Sequence, residues 1–136
     1  MVFALTPDEQ VVFVRQYRHG AGEEVLELPQ GILEDGEDPI AAGARELREE
    51  TGYESPRLER LSLLLSHPAV QTSRLHVLLA VDAVDGGRCS PEPDEDLEVV
   101  LRPLADLEGL VDRGEILASS SVAGIFLALR ALARRP

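Results

Sequence analysis

Asp38-Pro39 and Gly52 bracket a stretch to which one secondary structure is well suited, and that stretch carries a crowd of carboxylates. An aspartate ahead of a helix accepts from the free amides of the first turn, and proline fits the first helical position because it lacks an amide to satisfy. Glycine fits the stop, where the backbone turns left-handed. Ile40, Ala44 and Leu47 recur at i, i+4 and i+7 and predict a core-facing stripe. On a helix of 3.6 residues per turn, Glu46 and Glu50 then share a face and Glu49 lies beside them. Like charges at i, i+4 destabilise a helix by about 0.2–0.5 kcal/mol per pair. Two explanations follow: a solvated acidic face with Arg45 and Arg48 as local partners, or a site for a hard divalent cation, which binds carboxylate oxygens. The helix alone favours the first.

The flanking sequence predicts mixed secondary structure. Val2–Leu5 and Val11–Val14 are β-rich runs on either side of the turn-forming Pro7-Asp8, and predict a hairpin. Val25–Leu28 predicts a short strand stopped by Pro29 and Gly31. Leu58–Leu65, Leu75–Val84 and Leu97–Leu101 are further strands, and Leu104–Arg113 and Ser121–Arg134 are helices, the last strongly apolar on one side. The strands come in runs rather than in strict alternation with helices, so the expected class is α+β: a mixed sheet sandwiched between helices, α/β/α, in a single domain over 1–136.

Composition narrows the function classes. With 44% hydrophobic residues in 136, the chain can bury a core. Cys89 is the lone cysteine, which rules out an internal disulfide and a zinc–cysteine cluster; it is expected in a turn without a partner or a role. No signal peptide is expected in Met1–Leu5 and no apolar run approaches a bilayer's thickness, so a cytoplasmic protein with no membrane partner is expected. Thirteen basic and 25 acidic residues give a net charge of −12, which repels a nucleic-acid polymer. A small phosphate-bearing ligand is compatible with that charge if cations bridge it to the carboxylates.

A wider spacing decides between the two explanations of the acidic stripe. Gly31, Glu37, Arg45-Glu46-Leu47, Glu49-Glu50 and Gly52 stand at the spacing glycine–x5–glutamate–x7–arginine–glutamate–aliphatic–x–glutamate–glutamate–x–glycine. The chain is identified by this array as similar to the Nudix hydrolases, departing only where Tyr53 stands for an aliphatic residue. Val14-Arg15-Gln16-Tyr17-Arg18, Leu26–Gly31, Pro68 and Asp94–Val99 resemble the ADP-ribose and ADP-sugar pyrophosphatase branch. The resemblance implies the Nudix fold and a metal-dependent hydrolase, with one to three Mg2+ or Mn2+ ions, cleaving the diphosphate bond of a nucleoside diphosphate linked to another moiety. ADP-ribose or an ADP-sugar, giving AMP and a sugar phosphate, is foremost. It implies Glu46 and Glu50 as principal metal ligands, Glu49 as a further ligand or base, and the Gln30 carbonyl as an added donor. Glu37 and Arg45 would hold the loop–helix unit in shape.

Catalytic roles are expected for Glu49, Glu50 and Glu95. No acid follows Pro68 in Ala69–Ser73, so a base outside the helix falls to the loop Glu92–Glu95, with Glu95 first and Glu92 behind it. Arg18 is expected to grip a phosphate bidentately, and Tyr17 to stack on a base or sit in the core. Arg15 is expected to support the sheet or make a surface ion pair. His67 is expected to be polar surface, and His76 a satisfied edge histidine. The acid-free loop and a short N-terminus favour, as alternatives, a hydrolase of dinucleoside polyphosphates, coenzymes or nucleoside triphosphates. A non-catalytic nucleotide-sensing domain is a third class, disfavoured because the three glutamates are kept. A homodimer is expected by analogy, without the N-terminal strands that pair many relatives.

Overall fold

The computed structural model describes residues 1–87, 89 and 97–135. Among them run β1 (Val2–Leu5), β2 (Gln10–Arg18), β3 (Glu23–Glu27), α1 (Pro39–Thr51), β4 (Tyr53–Glu54), β5 (Arg57–Leu65), β6 (Arg74–Val81), β7 (Val84–Asp85), β8 (Glu98–Pro103), a 3-10 turn (Leu104–Asp106), α2 (Leu107–Asp112) and α3 (Ser119–Leu132).

The hairpin expected at the N-terminus forms, with Ala4 opposite Val12 and Leu5 opposite Val11. β1 then pairs in parallel with β6, and β6 pairs antiparallel with β5, so the sheet is mixed. β2 carries β8 on one edge along residues 10–15, which leaves β1 and β3 to share its other edge in succession. That arrangement delivers the end of β3, and the Leu28–Gly31 loop after it, beside the start of β1; Val2 N donates to Pro29 O at 2.9 Å.

Side-chain alternation fills both faces of this sheet. Val2, Ala4, Val12, Leu78 and Ala80 form one apolar layer with Leu47 of α1. Phe3, Val11, Phe13, Val77 and Leu79 form the opposite layer with Leu107 and Leu110 of α2 and Ile125 and Ala128 of α3. Successive residues of one strand point to opposite faces, so an uninterrupted apolar strand is what a sheet covered on both sides requires. The expected α/β/α sandwich is therefore present.

Three local expectations are corrected. The buried residues of α1 are Ala42, Gly43, Leu47, Glu50 and Thr51, while Ile40 is exposed; Gly43 packs so closely on β6 that an added Cβ would stand 2.2 Å from Leu78 Cδ1. The strand expected to reach Val84 stops at Val81, because Asp82 takes φ 54° and turns the chain into β7, which pairs with β4 instead. His76 is not at an edge: β6 lies between β1 and β5, and the His76 Nδ1 is buried with no hydrogen-bond partner among the described residues.

Candidate active site

The helix that bears the glutamates is fixed at both ends as its sequence requires. Asp38 Oδ2 accepts from Ile40 N at 2.9 Å and Ala41 N at 3.0 Å, with Pro39 following. Gly52 closes the helix at φ 75°, its amide bonded to Arg48 O. Thr51 Oγ1 donates back to Leu47 O and accepts from Tyr53 N, tying the last turn to β4. Cys89, expected without a partner, donates from Sγ to the carbonyls of Glu50 and Glu49 at 3.2 and 3.4 Å, so it caps the same end. Burial, with the Glu50 charge second, raises its thiol pKa, and a neutral thiol is the form that can donate.

Arg45 organises the entrance of the helix. Its Nε and one terminal nitrogen donate to both oxygens of Glu37 at 3.1 Å each, and the latter also reaches Ile32 O at 3.2 Å. The other terminal nitrogen donates to Glu46 Oε1 at 2.8 Å and Glu49 Oε2 at 3.1 Å. Hydrogen bonding to Glu37 comes first among the causes that push the Arg45 pKa up, and the same contact holds the Glu37 carboxyl below its ordinary range. A permanently charged guanidinium between Glu46 and Glu49 offsets their mutual repulsion.

Across the loop, Glu50 is buried and accepts from Gln30 N at 3.0 Å. At Gly31 an added Cβ would stand 2.0 Å from the carboxyl carbon of Glu46. A side chain at this position would displace the Glu46 carboxylate, so glycine lets the loop backbone lie against the acidic face with that carboxylate in place.

These elements enclose a cavity of about 540 Å3, lined by Arg18, Gln30, Gly31, Arg45, Glu46, Glu49 and Glu50, with Ile32, Leu33, Glu34 and Leu75 completing the wall. Every expected metal-site residue and Arg18 therefore meet in one place. Arg18 leans on Glu27, whose Oε2 accepts from Arg18 Nε at 2.7 Å and from Gln16 Nε2 at 3.4 Å. Glu27 is 6% exposed, so a nearly buried carboxylate orients a cation at the cavity wall. Sequence reasoning gave Glu27 no role; its one signal was an acid within the apolar Leu26-Glu27-Leu28 run. Glu34 was also missed, and its backbone amide donates to Glu37 Oε2 at 3.1 Å. Tyr17, next to Arg18 on β2, is not among the lining residues; it is half exposed and meets the His19 ring edge-on at 5.2 Å. Arg15 pairs across strands with Glu98 at 2.7 Å. Glu92 and Glu95 lie outside the described residues.

A family model described as NUDIX domain matches residues 1–120. An ADP-sugar pyrophosphatase of Mus musculus is 38% identical over 104 residues, which are 73% of this chain and 48% of that protein. An ADP-ribose pyrophosphatase of Bacillus subtilis is 33% identical over 116 residues, 85% of this chain and 63% of that protein. The chain thus spans between about half and two thirds of the length of these curated relatives. A crystal structure of an ADP compounds hydrolase superposes with a TM-score of 0.88 at 26% identity, covering 98% of this chain and 71% of that one.

Proposed function

This chain belongs to the Nudix family, and on that premise we propose that it hydrolyses the diphosphate bond of a nucleoside diphosphate linked to a second moiety, ADP-ribose or an ADP-sugar foremost. AMP and a sugar phosphate would be the products. The observation that carries the proposal is the meeting of one arginine fork and three helix carboxylates in a single cavity.

The family implies a divalent cation, and the donor set suits one: hard carboxylate oxygens on consecutive helix turns, faced by a loop that Gly31 brings within contact of Glu46. Among the described residues, no three His, Cys, Asp or Glu side chains already converge to metal-holding distance; Arg45 engages Glu46 and Glu49, and Gln30 N engages Glu50. Glu46, Glu49 and Glu50 would hold Mg2+ or Mn2+, with the Gln30 carbonyl as a further donor. Such ions neutralise phosphate charge and acidify bound water. The chain's own residues do the rest. Arg18, oriented by Glu27, offers its remaining N–H groups to phosphate oxygens. Arg45 holds the Ile32 carbonyl and Glu37 so that the loop keeps its place against the helix. Glu49, the most exposed of the three carboxylates at 41%, can accept a proton from an attacking water.

The test is a substrate panel of nucleoside diphosphate sugars, dinucleoside polyphosphates and nucleoside triphosphates, each with Mg2+ omitted and restored. Metal-dependent release of AMP from ADP-ribose supports the proposal, and no turnover of any member ends it. The loop Ala69–Ser73, which carries no acid after Pro68, favours a second substrate assignment within the same reaction, to dinucleoside polyphosphates, coenzymes or nucleoside triphosphates, and product chromatography separates the two.

A further inference from the structure

A second cavity of about 370 Å3 adjoins the first and shares two wall residues with it, Gln30 and Leu75. Its chemistry is the opposite of its neighbour's. Where the first cavity is lined by two arginines and four glutamates, no Asp, Glu, Lys or Arg among the described residues lines the second, and His67 is the titratable group in its wall. Leu64, Leu65, Leu75 and Ala123 give it aliphatic walls, and Gln71 and Ser120 are among the neutral hydrogen-bonding groups around them.

Its walls are tied to the catalytic loop and to each other. Ser121 Oγ accepts from Leu28 N at 3.0 Å, which fixes the start of α3 beside the loop running to Gln30. On the other side, His67 O accepts from Val70 N at 3.0 Å and Gln71 N at 2.9 Å, which turns the loop so that Gln71 reaches the cavity.

We propose that this second cavity is the nucleoside subsite, receiving the base of a substrate whose diphosphate lies in the first. The inference rests on the hydrolase reading above and goes beyond it by assigning which end of the substrate goes where. A diphosphate diester has a charged middle and two uncharged ends, so the two cavities divide its chemistry. A nucleobase presents flat apolar faces to aliphatic walls and polar edges to amide and hydroxyl groups, as glutamine does with adenine. A sugar would turn hydroxyls on every side towards leucines and lose hydration without replacing it.

The experiment is calorimetric titration of AMP and, separately, ribose 5-phosphate into the protein and into Ala123→Leu, which narrows the cavity from α3. A leucine forced into this space weakens AMP binding by about tenfold, with ribose 5-phosphate unchanged. Gln71→Ala, in an exposed loop where no packing is lost, moves AMP in the same direction and keeps the test valid if Ala123→Leu unfolds. Unchanged AMP binding in both variants overturns the assignment, as does a selective loss of ribose 5-phosphate, which would place the sugar here. Since binding is read without turnover, a protein that binds AMP through these residues but cleaves nothing would sink the hydrolase proposal and leave the subsite standing.

Discussion

At the scale of single residues, the site is built from paired charges whose partners differ greatly in exposure. Glu27 is buried and Arg18 is about four-tenths exposed, so the carboxylate is the rigid member and the guanidinium the one that can meet a ligand. Glu27→Gln keeps a hydrogen-bond acceptor but removes the charge that fixes the fork. It should raise KM for a diphosphate substrate more than it lowers kcat, and lower stability in urea by about 1–2 kcal/mol. A Glu27→Gln enzyme with unchanged KM would show that Arg18 needs no orienting partner. The Glu37–Arg45 pair makes a prediction about pH. Its hydrogen bonds to Arg45 hold the Glu37 carboxyl below its ordinary value of 4.5. A group whose folded pKa is depressed contributes stability above its unfolded pKa and loses it as pH falls through the folded one. Denaturant unfolding of the native protein and Glu37→Gln should therefore differ at neutral pH and converge below the ordinary carboxylate range. Curves that stay parallel into acid would remove Glu37 from the linkage.

At the scale of elements, α1 and its loop were the most legible part of the chain, because their rules are local. Asp38, Pro39 and Gly52 each answer to the backbone of their own turn, and the glutamate spacing is a property of the helix alone. What depended on tertiary packing was harder to see. Ile40 fits the apolar period, yet the sheet meets α1 at Gly43, one residue before Ala44, as well as at Leu47, since the small residue lets the helix lie against Leu78. The end of β6 was hidden for a similar reason: Val81-Asp82-Ala83-Val84 keeps strand-like composition while Asp82 turns the backbone left-handed. Glu27 was invisible because its partners Arg18 and Gln16 reach it only through the pairing of β2 with β3, and the second cavity because it arises where the Gln30 loop, the end of β5, the Ser66–Ser73 loop and α3 meet, far apart in sequence. Gly31 and Gly43 separate the two kinds of close approach. Gly43→Ala pushes a methyl group into Leu78 and should destabilise by about 1–3 kcal/mol, measured by thermal melting. Gly31→Ala pushes one into the carboxylate of Glu46, at the cavity rather than in the core. It should lower metal-dependent turnover by at least about tenfold while shifting the melting temperature little; equal losses of stability in the two variants would refute the distinction.

At the scale of the whole molecule, the net charge of −12 and the apolar sandwich pull in different directions. Both faces of the central sheet are covered, so the fold has a core independent of any ligand. No helix among the described residues is long and apolar enough to cross a membrane. The acidic excess, by contrast, repels itself, and Glu46, Glu49 and Glu50 of it face one cavity. A cation bound there would act on the folded state alone, because the unfolded chain does not bring those carboxylates to the Gln30–Gly31 loop. Linkage then ties folding stability to metal concentration: at a free ion concentration a hundred times the dissociation constant, the gain is about 2.7 kcal/mol. General screening of a polyanion would also stabilise the fold, and it is separated by matching ionic strength with NaCl. Added MgCl2 should therefore raise the melting temperature beyond an equal ionic strength of NaCl, and this excess should disappear in Glu50→Gln. In the same variant, turnover should fall by at least about a hundredfold. If Mg2+ and Na+ act alike on the native protein, the carboxylate stripe is only a solvated acidic face, and the explanation that the isolated helix favoured would be the correct one.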